Sequence, residues 1–76
     1  MAETIEVGPF LESASALLED LEQAENAVPG YRLEEMTVII ERIVENVEGT
    51  GRVKPGQVLL MDELREELGR WVEDVA

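Results

Sequence analysis

Neither cysteine nor histidine occurs in this 76-residue chain, and the two absences remove much familiar chemistry. No disulfide can form, and a zinc site of the usual Cys/His kind cannot be built. Nucleophilic catalysis by a Ser–His or Cys–His pair has no base to work with. The di-iron pattern of helical bundles needs Glu-x-x-His and is excluded too. The longest uninterrupted apolar run is Val58–Met61, far short of the roughly 20 residues a membrane-spanning helix needs. Cations are missing from the whole N-terminal part: Met1 to Tyr31 holds seven carboxylates and no Lys or Arg. With Glu3 and Glu6 at the start and no apolar segment after them, no signal peptide is legible. A cytoplasmic protein is the expectation.

What is present is charge of one sign. Eighteen carboxylates against six cations give a formal net charge of −12. Nucleic-acid backbones and anionic lipid surfaces are thereby disfavoured as ligands, and basic partners are favoured. Most of the carboxylates are Glu, the better helix former. A chain of this length makes one domain and buries only about 60% of its unfolded surface. Small proteins often add a disulfide, a metal or a partner subunit. Without cysteine or histidine, self-association is the staple within easiest reach.

Apolar residues recur at helical spacing in three segments. The first eight residues alternate only weakly and read as an extended tail (1–8), leaving a three-helix domain over 9–76. Pro9 suits the first position of a helix, where its missing N–H has no intrahelical partner. Helix 1 is predicted from Pro9 to Val28, with a seam of Phe10, Ala14, Leu17, Leu21, Ala24 and Val28, and with Pro29-Gly30 as its stop. Helix 2 is predicted from Arg32 to Glu48 on a seam of Leu33, Met36, Ile40, Ile43 and Val47. The run Met36–Ile40 is rich in β-branched residues and could be a strand, but Glu41, Glu45 and Glu48 extend a helical polar face beyond it. Gly49-Thr50-Gly51 ends this helix. Lys54-Pro55-Gly56-Gln57 has the Pro-Gly centre of a type II turn. Helix 3 then starts between Pro55 and Asp62, on a seam of Met61, Leu64, Leu68, Trp71 and Val75, and residues 58–61 read as either strand or helix. Glu66 and Arg70 are spaced for an i,i+4 pair.

The predicted fold is therefore all-α: a small, acidic, up-down-up three-helix bundle, closed either within one chain or by dimerisation. The wide apolar arc of helix 2 singles out Val38 and Ile39 as the self-association surface, because two neighbouring helices cannot cover them together with the seam. Phe10 and Trp71 lie in seams and read as core. Tyr31, beside the Pro-Gly turn, reads as a lid on the end of the bundle or as part of an interface. Arg52 and Lys54 form a small cationic cluster in a loop.

Searches for chemical motifs return little. Glu45-Asn46-Val47-Glu48-Gly49 is a poor imitation of an EF-hand loop, and Gly49-Thr50-Gly51 lacks the spacing of a phosphate cradle. Acyl carrier proteins are also short, acidic and helical, but they carry a modified serine where helix 2 begins. This chain reads Gly30-Tyr31-Arg32-Leu33 there, and its serines, Ser13 and Ser15, fall inside helix 1. No cofactor, metal site or catalytic residue is expected. The acids Glu12, Glu19, Asp20, Glu22 and Glu25 are the candidate partner-binding residues. Spread over about 20 Å of helix at 1.5 Å per residue, they approach the roughly 3.4 Å phosphate spacing of one DNA strand. The expected function is a non-catalytic interaction module for a basic protein partner: a small subunit, adaptor or regulator. Two alternatives stand beside it, a nucleic-acid-mimicking inhibitor and, more remotely, a carrier-like or enzyme accessory domain.

Overall fold

The computed structural model describes residues 6–75, which form three helices, α1 (Val7–Gln23), α2 (Gly30–Thr50) and α3 (Pro55–Val75). No strand occurs among the described residues. Every pair of helices is in contact, and the body measures 41 × 23 × 17 Å, as expected of side-by-side helices of up to about 31 Å. Cross-links give the directions. Asn46 near the end of α2 accepts a bond from Gln57 Nε2 at the start of α3 (2.8 Å), and Arg32 at the start of α2 meets Glu67 late in α3. Thus α2 and α3 run antiparallel. Arg65 Nη2 donates to Ser13 Oγ (2.6 Å) where α3 passes α1 in the same sense.

One core fills the space between the helices. It contains the whole predicted seam of helix 1, with Met36, Ile40, Ile43 and Val47 from α2 and Met61, Leu64 and Leu68 from α3. Leu33 and Trp71 are half-buried against it. Val75 departs from its seam and is 63% exposed. Among the described residues no buried polar side-chain atom lacks a hydrogen-bond partner.

Helix ends differ from the sequence reading in ways that have physical causes. Helix α1 begins two residues before Pro9, so Val7 and Gly8 are helical rather than part of a tail; residues 1–5 of that tail lie outside the described residues. It ends at Gln23 instead of Val28. The N–H of Ala24 is shared between the carbonyls of Asp20 (3.0 Å) and Leu21 (3.2 Å), and a separate turn follows, with the Ala27 and Val28 N–H groups on the Ala24 carbonyl. That turn keeps Ala24 and Val28 buried, which is why the periodicity ran on past the end of the helix. Pro29 destabilises an α conformation at Val28 and then caps α2, its carbonyl accepting from Arg32 (3.0 Å) and Leu33 (2.9 Å).

The exit of α2 is set by Gly51. Its φ of +69° lies in the left-handed region that glycine enters without a Cβ penalty, and its N–H closes on the Val47 carbonyl (2.8 Å). The expected type II turn at Lys54–Gln57 is replaced by a helix start. Pro55 is the first helical residue, as suits its fixed φ and missing N–H. Gln57 Oε1 reaches back to the Lys54 N–H (2.9 Å), one half of a capping box. Residues 58–61 are helical, which settles the strand-or-helix choice.

Candidate functional site

The strongest polar feature ties the start of α2 to the second half of α3. Arg32 sits in the first turn of α2, where the helix dipole disfavours a cation, and it is held by a fork of two bonds to Glu67: Nε to Oε2 (2.6 Å) and Nη2 to Oε1 (2.5 Å). Trp71 Nε1 donates to the same Oε2 (3.0 Å), and Arg32 Nη1 pairs with Glu35 (3.1 Å). The bond from Arg32, with a smaller contribution from the Trp71 bond, lowers the Glu67 carboxyl to about 2 against an opposing effect of burial. Reciprocally, Glu67 raises the Arg32 guanidinium above its usual value. The arrangement is a clamp. Both oxygens of the Glu67 carboxylate accept hydrogen bonds within it.

Sequence reasoning missed this clamp because its members are 35 residues apart. Two signals were present: a lone cation in the first turn of α2, and the i,i+4 spacing of Glu67 and Trp71. The pair expected between Glu66 and Arg70 is not among the ion pairs of the described residues, which are Arg32–Glu35, Arg32–Glu67 and Arg65–Asp62.

The candidate acids are all exposed, and none of them has a cation within 4 Å among the described residues. They do not form one face. At 100° per residue, Glu12 and Glu19 share the outer side of α1, Asp20 turns towards α3 and Glu22 turns away from it. Glu25 lies beyond the end of α1, in the turn before Pro29. The last turn of α1 carries Asp20 and Glu22 and no basic residue, where the dipole would favour a cation.

The outward side of α2 presents a second surface. Val38 is 40% exposed, and Tyr31 is 69% exposed instead of covering the end of the bundle; the start of α2 lies beside α3 at the clamp, and the ring projects to solvent. Ile39 is half-buried against the core. With Glu34, Glu35 and Arg42 these residues line a shallow concavity. Arg42 has no carboxylate within 4 Å among the described residues.

No described helix is long and apolar enough to cross a membrane, and no cluster of three potential metal ligands occurs among the described residues. The chain matches no protein-family model, and neither a curated protein nor a solved structure is significantly similar to it.

Proposed function

We propose that this protein is a non-catalytic protein–protein interaction module, acting in the cytoplasm as a small subunit, adaptor or regulator for a partner with a basic surface. The observation that carries this reading is the acidity of α1: its carboxylates are exposed, without an ion-pair partner among the described residues, and in part placed at the dipole end that repels them. Such an arrangement costs stability in the free protein, and a basic partner would relieve that cost. The scatter of these acids around α1 and past its end weighs against a continuous imitation of a phosphate strand, so the nucleic-acid-mimic alternative ranks below a basic protein.

Reversing Glu19 and Glu22 to Lys tests the reading. Both are solvent-exposed, so the fold should tolerate the change. Affinity for a partner captured by the native protein is expected to fall about tenfold, which corresponds to about 1.4 kcal/mol, and its salt dependence should flatten. Unchanged affinity in the double variant would remove α1 from the binding surface.

The α2 surface supports a second role, association with another copy of the chain. Tyr31, Glu35, Val38 and Arg42 follow one another at helical 4-3-4 spacing. Two α2 helices crossing antiparallel between Val38 and Ile39 would bring Glu35 of one copy opposite Arg42 of the other, a self-complementary pairing of the kind a twofold axis requires. Sedimentation is expected to detect a dimer at about 100 μM that tightens with salt, because salt screens the repulsion between two acidic chains. Val38→Glu with Ile39→Glu should leave monomer alone. A native protein that stays monomeric in moderate salt would refute this role.

A further inference from the structure

Helix α1 stops at Gln23 while α3, running alongside in the same sense, continues to Val75. The last turns of α3 therefore face the final turn of α1, at Asp20 and Gln23, and the non-helical turn that holds Ala24 and Ala27. An open groove of about 800 Å³ results, floored by Ala24, Ala27, Leu68 and Val72 and reaching Val75. Its lining is largely apolar, and both Val72 (45%) and Val75 (63%) are exposed along it. The rims are acidic: Asp20 stands on one side and Glu73 on the other. Among the described residues one cation lines it, Arg65, and it is already engaged by Asp62 and Ser13.

The C-terminal ends of α1 and α3 meet at this groove, and neither has a basic residue in its last turn. Two negative dipole ends thus add to the carboxylates on the rims. An apolar floor between anionic walls fits an amphipathic helix whose apolar stripe seats at i, i+3/i+4 and i+7 and whose flanks carry Lys or Arg. A second copy of this chain is the wrong occupant, since each of its helices holds more carboxylates than cations. We infer that the α1–α3 groove is the docking site for a basic amphipathic helix of a partner protein, which rests on the interaction-module reading and locates its contact.

The test uses the full chain, isotope-labelled, and a synthetic Leu/Lys amphipathic peptide of about 18 residues, or five turns. The same peptide with Glu for Lys is the charge control. Saturable binding of the Leu/Lys peptide is expected, with amide shifts concentrated at Ala24, Ala27, Gly69 and Val72. Val72→Lys should weaken binding at least about tenfold, and Leu59→Lys, an identical charge change at the exposed start of α3, by less than about twofold. Equal weakening by both variants, or shifts centred on Glu12 and Glu19, would overturn the groove while leaving a basic partner in place. Equal binding of the Glu peptide, or no binding of either, would overturn the groove and the basic-partner reading together.

Discussion

Truncating Leu21 to Ala should remove most of the stability of this protein. Leu21 is 1% exposed and sits in the single core shared by all three helices. A Leu→Ala change at such a site costs about 3–5 kcal/mol through lost burial and the cavity left behind. A domain of this size has about 5 kcal/mol to lose. Ile43→Ala and Leu68→Ala, at 7% and 6% exposure, should cost about 2–4 kcal/mol each. Leu59→Ala, at a site 64% exposed, should stay within about 0.5 kcal/mol. Urea midpoints measure all four. Unchanged midpoints in the three core variants would contradict the packing described above.

The second large effect belongs to the clamp. Glu67→Gln leaves the Arg32 guanidinium half-buried without its anion and is expected to cost about 1–2 kcal/mol at neutral pH, the value of a charged hydrogen-bonded pair reduced for its partial exposure. The Glu67 carboxyl is depressed to about 2 from an ordinary 4.5. Its contribution is therefore complete above about pH 4.5 and is lost as pH falls through about 2. The difference between native and Glu67→Gln isolates the clamp: it should be flat from neutral pH to about 4.5 and shrink towards pH 2. The emission of Trp71, the only tryptophan, should shift in the variant, since its indole N–H loses a charged acceptor. A stability difference that does not change with pH would separate Glu67 from the ion pair.

Apolar periodicity carried the fold. Phe10, Ala14, Leu17 and Leu21, with Met36, Ile40, Ile43 and Val47, occupy the core because a helix buries every third or fourth residue wherever it packs. Periodicity was blind to the ends. Ala24 and Val28 hold helical spacing across a turn that is no longer α-helix, and proline marks starts and stops alike: Pro29 reads as a terminator, yet it caps α2, while Pro55 reads as a turn, yet it opens α3. The groove was illegible for the same reason, since Ala24 and Ala27 in its lining lie in the turn that follows α1 and not on the helix expected there. Long-range partners such as Arg32 and Glu67 require the antiparallel register of α2 and α3, which no local pattern encodes. Exposure of Val38 followed from the breadth of the apolar arc on helix 2, whereas the half-burial of Ile39 depends on how closely α3 approaches.

The most direct test of a basic partner is the salt dependence of its affinity. Between about 0.1 M and 1 M salt the screening length falls from about 10 Å to 3 Å, which removes most of the attraction between an acidic module and a basic surface. The dissociation constant of the captured partner is expected to rise at least about tenfold over that range. An affinity that holds steady or tightens with salt would contradict the account and assign binding to apolar contacts alone.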